Sequence, residues 1–388
     1  MTLRTSARFG RLPAFPLAQM KATRARLEAE GVDVIDLGAG DSGLAPPPAA
    51  VARLKEVLDD PAYSSYPFQR GLPAFREAAA AWMGRRFGLE IDPWSEFLPL
   101  VGSKDGIAHV PFAFMDAGDV AVIPDPGYTP YVGGVTLAGG EPHLVPLRPE
   151  HDFLIPLDEL PDDVAARTRI LYLNYPNNPT TAVAPDAYYR QAIDFCRERG
   201  ALLVHDNAYS ELAFDGYRPR SIFEFDGARE VALEFHSMSK TFNMTGWRLG
   251  WAVGRAELVG ALQTVKTFVD TGQFLAVQAG AAAALEGAEA WVPGNVETFR
   301  RRRDALAAAL TESGFDVRVP KATMYLWVPV PSGVGSSEDF ARRALEEQGV
   351  IVLPGATLGG GGEGFFRMAL TCPEARLAEA GRRLGALL

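Results

Sequence analysis

The stretch ILYLNYPNNPTTAVAPDAYYRQAIDFCRERGALLVHDNAY, residues 170–209, holds two short apolar runs with a helical pattern between them. The runs 170–173 and 201–205 are rich in branched and aromatic residues, which is typical of buried strands. The segment 185–200 begins with proline and ends with glycine, as many helices do. A strand, a helix and a strand in this order predict two parallel neighbours in one sheet.

This alternation continues on both sides of the stretch. Further strand-like runs occupy residues 97–101, 120–123, 231–236 and 250–254. A second helical pattern covers 103–115 and opens on Ser103, a residue type that is favoured as an N-cap. The chain is therefore expected to be an α/β protein with a mainly parallel sheet.

The sequence pattern changes near residue 290. A charged amphipathic helix is predicted over 296–314, followed by strands of a separate, smaller sheet at 324–330, 350–355 and 365–370. We expect three parts, which are an arm over 1–45, a large domain over 46–289 and a small C-terminal domain over 290–388. The arm is expected to contribute to the small domain and to a dimer contact.

Composition excludes several classes of protein. The chain has 388 residues, 48 of them acidic and 38 basic, and its net charge of -10 disfavours a nucleic-acid surface. Only two cysteines, Cys196 and Cys372, are present and lie far apart, so neither a disulfide framework nor a metal site is expected. No segment resembles a signal peptide or a membrane span. We expect a cytoplasmic protein with no membrane partner.

Polar residues follow the predicted strands at the points where the strands end. Asn174 and Asp206 come directly after two of the strands, and Ser237 follows a third. In an open parallel sheet, ligands bind outside the carboxyl ends of the strands. These side chains are therefore expected to line one crevice.

The residues around this crevice match one ligand. Ser103 at a helix start, Ser237, Ser239 and Arg248 are donors suited to a phosphate. Tyr128 can stack on a flat ring, Asn178 and Tyr209 can bond to a phenolic oxygen, and Asp206 can pair with a protonated ring nitrogen. Lys240 supplies an amine that can form a Schiff base with an aldehyde. A phosphate, a flat ring, a phenolic oxygen, a ring nitrogen and an aldehyde together describe pyridoxal 5'-phosphate.

The chain also resembles a known family over nearly its whole length, the class I and II aminotransferases of the fold-type I pyridoxal-phosphate enzymes. The motifs that carry the resemblance are IDLGAGD (35–41), YPFQRGLPAFREAAAAW (66–82), DPGYTPY (125–131), NYPNNPT (174–180), HDNAY (205–209), SMSKTFNMTGWRLG (237–250) and FFRMALT (365–371). Within the family, VGSKDGIAHVPFAFMDAGD (101–119) and KTFVDTGQF (266–274) most resemble the branch of LL-diaminopimelate and related alanine aminotransferases. The resemblance implies a large domain with a mainly parallel seven-stranded sheet between helices, and a smaller α+β domain.

The resemblance also implies roles for individual residues. Lys240 would be the Schiff-base lysine and proton carrier, and Asp206 would pair with the ring nitrogen. Asn178 and Tyr209 would bond to the ring oxygen, with Tyr128 stacked on the ring. The residues implied to surround the phosphate are Ser103, Lys104, Ser237, Ser239 and Arg248. Together these imply transfer of an amino group between an amino acid and a 2-oxo acid by a ping-pong mechanism, with LL-diaminopimelate or alanine as the expected donor.

Further implied residues concern the substrate and the assembly. Arg367 would bind the substrate α-carboxylate with its forked guanidinium. Asn178 and the Gly40 backbone would also contact the substrate. Tyr66 would reach the phosphate bound by the neighbouring subunit, which implies a homodimer with shared active sites.

Two positions depart from the family pattern. Thr181 stands where the motif after Asn-Pro-Thr usually has glycine, which is expected to affect the turn more than the chemistry. Phe268 stands where the diaminopimelate-like branch often has asparagine, so a polar distal end of the substrate would lack that partner. The donor is therefore less well defined by the sequence than the reaction class.

Two rival functions, a lyase and a cofactor-binding regulator, stay open on the sequence alone, and a third interpretation is disfavoured by missing motifs. Ser237 to Lys240 fits the S-x-x-K motif of penicillin-recognising serine enzymes, but the accompanying S-D-N and K-T-G elements are not found. The same cofactor site could serve a carbon-sulfur β-lyase. A pyridoxal-phosphate-binding regulator is disfavoured, because such regulators usually carry an added DNA-binding domain.

Overall fold

The computed structural model describes residues 3–12 and 17–388, and the side chains of 17–22 are not part of that description. Residues 1, 2 and 13–16 of the predicted arm thus lie outside the described part. In the described part of the chain, no helix is both long enough and apolar enough to cross a membrane.

Fourteen α-helices occur in the described residues. In chain order they are α1 (Leu17–Ala29), α2 (Pro48–Val57), α3 (Pro73–Phe87), α4 (Ser103–Phe114), α5 (Pro130–Ala138), α6 (Asp162–Arg167), α7 (Asp186–Arg199), α8 (Ala228–Val231), α9 (Met238–Thr241), α10 (Ala256–Thr267), α11 (Leu275–Glu286), α12 (Ala288–Glu312), α13 (Ser337–Gln348) and α14 (Glu374–Gly385). The helix predicted over 296–314 is the later part of α12, which begins eight residues earlier and contains Pro293.

The strands fall into three sheets. They are β1 (Ile35–Asp36), β2 (Phe97–Leu100), β3 (Val120–Asp125), β4 (Glu141–Pro146), β5 (Thr168–Leu173), β6 (Leu202–Asp206), β7 (Ala232–Ser237), β8 (Gly250–Gly254), β9 (Tyr325–Pro329), β10 (Val350–Ile351), β11 (Leu353–Pro354) and β12 (Phe365–Ala369). The large sheet has seven strands in the order β2-β8-β7-β6-β5-β3-β4. Strands β3 to β7 run parallel, while β8 is antiparallel to both of its neighbours. The predicted α/β fold with a mainly parallel sheet is confirmed.

Alternation along the buried strands divides their side chains between two helical layers. In β5, Ile170 and Tyr172 pack in the core cluster that contains Ile107 of α4 and Leu262 of α10. Leu171 and Leu173 belong to the opposite cluster, with residues of α3, α7 and α11. Since successive side chains point to opposite faces of a strand, a continuous apolar run is what a sheet covered on both faces requires.

Two details of the large sheet were not anticipated. Strand β4 was missed, because Pro142 and Pro146 interrupt its pattern and it lies at the sheet edge, where proline is tolerated. The predicted N-cap was off by one residue. Gly102 occupies the N-cap position and Ser103 is the first helical residue, with no side-chain capping hydrogen bond.

The smaller lobe contains the antiparallel sheet β11-β12-β9 and the short parallel pair β1-β10. Its core includes Leu37, Phe340 and Phe366, together with residues of α12 and α14. Strand β1 lies beside β10 because Ile35 and Asp36 pair with Val350 and Ile351. The three domain boundaries stay predictions.

Candidate active site

A cavity of about 320 Å³ lies at the carboxyl ends of β5, β6 and β7, next to the small-lobe sheet. It is lined by Gly40, Ser103, Lys104, Tyr128, Thr129, Asn174, Asn178, Asp206, Ala208, Tyr209, Ser237, Ser239, Lys240, Thr245, Arg248, Tyr325, Leu353, Thr357, Leu358 and Arg367. This set contains every predicted site residue except Tyr66. Residues of strands from both lobes, of the loops and helices that follow them and of the segment before α2 thus meet at one place.

One end of the cavity is rich in hydrogen-bond donors. Gly102 has φ 76°, in the left-handed region that favours glycine, and Arg248 Nη2 lies close to its Cα. Ser103 and Lys104 begin α4, whose first backbone N–H groups have no helical partner. Ser237 accepts a hydrogen bond from the Ser239 backbone N–H at 3.1 Å, which leaves its own hydroxyl hydrogen free to donate. This end is suited to an anion such as phosphate.

Asp206 lies in the wall of the cavity and is almost fully buried, at 5% exposure. Its Oδ2 accepts a hydrogen bond from Tyr131 Oη at 2.8 Å. No atom of the described chain hydrogen-bonds to its Oδ1, although this oxygen is buried. Burial raises the pKa of Asp206 to about 6. A buried carboxylate with an unused oxygen is costly unless a donor or a cation joins it.

Behind Asp206 lies a second buried carboxylate, Glu234 on β7. Its Oε2 lies 2.8 Å from His205 Nδ1 and 2.7 Å from the Ile222 backbone N–H. Its Oε1 lies 2.7 Å from His236 Nε2 and 2.8 Å from the Ser221 hydroxyl. Both histidines are buried in this network.

Lys240 extends from the short helix α9 into the cavity. Its Nζ donates a hydrogen bond to the Gly40 carbonyl at 2.5 Å. Tyr209 follows β6 and is buried, and its hydroxyl lies 3.3 Å from that of Tyr325 on β9. An amine and two phenols therefore lie in the same cavity between the large and small sheets.

Arg367 projects from β12 and is 6% exposed. Its Nη1 donates to Asn178 Oδ1 at 2.8 Å, and its Nη2 donates to the Gly38 carbonyl at 2.7 Å. In the described residues its buried Nε finds no acceptor, and no acidic side chain forms an ion pair with it. Of its five N–H donors, three remain for an anion such as a substrate carboxylate.

The cavity residues fit pyridoxal 5'-phosphate. The unpaired Asp206 Oδ1 can accept a hydrogen bond from a protonated ring nitrogen, and that positive partner removes the cost of the buried charge. The donor-rich end at Gly102 to Lys104 suits the phosphate, and Tyr128 is available to stack on the ring. Two lysines line the cavity, Lys104 and Lys240.

Tyr66 and Phe268 do not line the cavity of the single chain. Tyr66 is 70% exposed and packs against Phe68 with ring centroids 5.3 Å apart, while Phe268 is 88% exposed at the end of α10. The predicted contact of Tyr66 with a neighbouring subunit stays a prediction.

Thr181 adopts φ 60°, in the left-handed region that favours glycine. It is buried, and its backbone N–H donates to the Asn177 carbonyl at 3.0 Å. The turn is therefore kept in this chain with a β-branched residue, and the local cost falls on the backbone rather than on the cavity residues.

Asn174 and Tyr325 are among the cavity residues to which sequence reasoning assigned no role. Asn174 donates from Nδ2 to the Asp206 carbonyl at 2.7 Å and accepts from the Asn178 N–H at 2.8 Å, so it joins two site residues. Its position after β5 was the available signal. Tyr325 lay within a predicted strand, and nothing local marked it as part of the site.

Comparison with known proteins agrees with this geometry. The model of the family described as aminotransferase class I and II matches residues 32–384. The chain is 48% identical to the LL-diaminopimelate aminotransferase of Desulforudis audaxviator, over 99% of this chain and 98% of that protein. The substrate-bound BacF structure from Bacillus subtilis is similar at a TM-score of 0.94 and 32% identity, covering 100% of this chain and 98% of that one. A probable N-succinyldiaminopimelate aminotransferase from Thermus thermophilus gives a TM-score of 0.90 and 36% identity, with 95% and 99% covered.

Fold, site and similarity thus define a fold-type I α/β enzyme. The chain belongs to the class I and II aminotransferase family. It is an aminotransferase, and its cofactor is pyridoxal 5'-phosphate. The resemblance found in the sequence is confirmed, and none of these relatives supports the β-lyase alternative.

Proposed function

We propose that the cavity residues hold the cofactor in the arrangement that the sequence implies. Asp206 would bind the ring nitrogen, Asn178 and Tyr209 the ring oxygen, and Tyr128 the ring face. The proposed phosphate ligands are Ser103, Lys104, Ser237, Ser239 and Arg248. The observation that carries this proposal is the buried Asp206 Oδ1, which has no partner in the described chain and lines the same cavity as Lys240.

The bound cofactor supplies the electron sink that lets a proton leave the substrate α-carbon. The protein residues then have separate tasks. Arg367 binds the substrate α-carboxylate with its free N–H donors, and the amine of Lys240 carries the proton away from that carbon. Asp206 keeps a positive partner at the ring nitrogen, since a buried carboxylate is stable only beside one.

Substitution of Lys240 tests these roles. Lys240→Ala should lower turnover by about 10³-fold or more, because the general base is lost. The exposed Lys55 on α2 provides the control, and Lys55→Ala should retain full activity. Borohydride should fix the cofactor to Lys240 in the wild type, and fixation at another lysine would contradict the assignment.

We propose LL-diaminopimelate as the amino donor, with alanine or another neutral amino acid as the alternative. The similarity to the LL-diaminopimelate aminotransferase of D. audaxviator supports the first. The phenyl ring of Phe268, where that branch often has asparagine, favours the second. Single amino donors added to the purified enzyme should convert the bound aldehyde to its amine form without any acceptor, and the fastest donor identifies the substrate. Steady-state rates with both substrates should give parallel double-reciprocal lines, as a ping-pong mechanism requires, and intersecting lines would exclude it.

We propose that the enzyme is a homodimer with shared sites. Support comes from an exposed aromatic surface on two adjoining loops, 66–69 and 268–274. Tyr66, Phe68, Phe268 and Val269 are exposed there, and Gln69 Nε2 donates to the Asp270 carbonyl between the loops. Mixing Lys240→Ala with Tyr66→Ala subunits under exchange should restore about a quarter of the activity, since one site of each hybrid is intact. A monomer in sedimentation would contradict this.

We propose a cytoplasmic location. Cys196 and Cys372 form no disulfide among the described residues, which agrees with a reducing compartment. Cell fractionation with a cytoplasmic marker would test it.

A further inference from the structure

Tyr325 is a cavity residue to which neither the sequence nor the proposed roles give a task. It begins β9 opposite Ala369 of β12, so Arg367, two residues away on β12, lies diagonally across the same face. Diagonal neighbours on one face of an antiparallel pair are within reach of aromatic and long side chains. Both side chains thus leave the small-lobe sheet toward the cavity.

The ring of Tyr325 lies against the guanidinium of Arg367. The Arg367 Cζ is 4.1 Å from the ring centroid, within the range of a cation–π contact. Arg367 has no carboxylate partner in the described part of the chain, and its two hydrogen bonds leave one face to the ring. The ring therefore packs against a guanidinium that these two hydrogen bonds hold, and it restricts movement of the free N–H groups away from this position.

The hydroxyl of Tyr325 has a separate environment. It lies 3.3 Å from Tyr209 Oη and packs on Gly40, where an added Cβ would clash with Tyr325 Oη. The Gly40 carbonyl in turn accepts from Lys240. A phenol has one hydrogen, so if Tyr209 donates its own to the cofactor oxygen, the hydrogen shared by the two phenols has to come from Tyr325.

The positive charge of Arg367 beside the ring favours donation from the Tyr325 hydroxyl. Burial alone would raise the pKa of Tyr325, but the positive charges of Lys240 and Arg367, together with the hydrogen bond between the two phenols, lower it. For Tyr209, burial and the neighbouring phenol raise the pKa well above its ordinary value.

We propose that Tyr325 is a positioning residue for transamination, whose ring orients Arg367 toward the substrate carboxylate and whose hydroxyl donates to Tyr209. The proposal rests on the roles proposed above for Arg367 and Tyr209. The two parts can be tested separately. Tyr325→Leu removes both the ring and the hydroxyl, whereas Tyr325→Phe removes the hydroxyl alone.

The role of the ring can be tested by calorimetry, which measures the affinity of the cofactor-loaded enzyme for pimelate. Pimelate is a dicarboxylate without an amino group. Tyr325→Leu should weaken pimelate binding about tenfold, the scale of a buried cation–π contact, while Tyr325→Phe should change it less than about twofold. Tyr188→Phe removes a buried hydroxyl that bonds to the Ile155 carbonyl away from the cavity, and should have no effect.

A double substitution shows whether the ring acts through Arg367. Arg367→Lys should weaken pimelate binding strongly, and adding Tyr325→Leu to it should weaken binding less than about twofold further. Two results would overturn the role of Tyr325 and leave the carboxylate site of Arg367 standing. One is full additivity of the two substitutions, and the other is an unchanged pimelate affinity in Tyr325→Leu while Arg367→Lys weakens binding. An unchanged affinity in Arg367→Lys would overturn the proposed carboxylate site as well.

The hydroxyl is tested by the pH at which the visible absorption of the bound cofactor changes. Tyr209→Phe should move this transition to higher pH, because the ring oxygen loses a donor and holds a proton more tightly. Tyr325→Phe should move it in the same direction by a smaller amount, and the double variant should match Tyr209→Phe. A shift to lower pH, or no shift, in Tyr325→Phe would contradict donation from Tyr325 to Tyr209.

Discussion

Asp206 and Glu234 are two buried carboxylates on neighbouring strands, and they differ in how their oxygens are used. In the sheet register His205 lies beside Glu234, and Asp206 lies beside Phe235. Both glutamate oxygens accept two hydrogen bonds each, whereas Asp206 Oδ1 accepts none from the described chain. Burial is similar, so the difference lies in hydrogen bonding.

The difference separates a structural carboxylate from a functional one. Burial alone would raise the pKa of Glu234, but His236 and His205 lower it well below the ordinary value. At Asp206 burial outweighs the hydrogen bond from Tyr131 and the nearby charge of His205, so its pKa is raised to about 6. A fully satisfied carboxylate stabilises the fold, and an incompletely satisfied one is ready for a ligand that supplies the missing donor.

The largest expected effect separates the two carboxylates by activity. Asp206→Asn should lower kcat/KM about 10³-fold, equal to about 4 kcal/mol, because the charge opposite the ring nitrogen is lost. Steady-state kinetics and cofactor binding measure this effect. Asp194→Asn, at an exposed position of α7, is the control. Near-normal activity of Asp206→Asn would show that Asp206 is not a functional carboxylate.

The next effect is on folding. Glu234→Gln should lower the free energy of unfolding by about 3 kcal/mol, since it removes the charge that two buried histidines face. Denaturant unfolding of the cofactor-free protein measures this change. If the folded variant binds cofactor as the wild type does, Glu234 is structural, and a selective loss of cofactor binding would show otherwise.

A third effect is a pH dependence in opposite directions. Because the folded pKa of Asp206 is about 6, above the ordinary 3.8, the folded protein keeps a proton that the unfolded chain loses. Stability of the cofactor-free protein should therefore fall by about 2 kcal/mol from about pH 4 to about pH 7, relative to Asp206→Asn. The lowered pKa of Glu234 gives stability that is present above its ordinary value of 4.5 and lost as the pH falls below it. Urea unfolding at several pH values in this range measures the effect. If the unfolding free energy changed with pH equally in wild type and Asp206→Asn, the raised pKa of Asp206 would be contradicted.

The smallest effect concerns one donor of the glutamate. Ser221→Ala removes the hydroxyl that donates to Glu234 Oε1 and should cost about 1.5 kcal/mol of unfolding free energy. Thermal and denaturant unfolding should detect the loss, while kcat and KM should stay unchanged. A loss of activity without a loss of stability would show that Glu234 acts together with Asp206 in catalysis.

Much of the fold could be predicted because its signals are local. Apolar runs such as 170–173 are buried on both faces, so they read as strands without knowledge of their neighbours. The edge strand β4 gave no such signal, because Pro142 and Pro146 break its pattern. The N-cap of α4 was misplaced by one residue because Ser103 has the preferred side chain, whereas the φ of 76° at residue 102 favours glycine.

The candidate site divides in the same way. Asp206 ends β6 and Lys240 lies in α9, which follows β7. Both belong to recognisable motifs, so their place in the cavity could be predicted. Tyr325 could not be, because it meets Tyr209 across a separation of 116 residues and lies within an ordinary strand pattern. The hydrogen bonds of Glu234 could not be predicted either, because in the sequence it is one charged residue within an apolar run.

The sequence by itself determined the family, the order of the strands along the chain and the chemical types that converge on the cofactor. The tertiary structure alone decided which of these polar atoms are paired with one another and which remain free to bind a ligand. The physical reason is that a hydrogen bond depends on distances of a few tenths of an ångström between strands that are far apart in sequence. Those distances are set by sheet register and packing, which a local pattern does not contain.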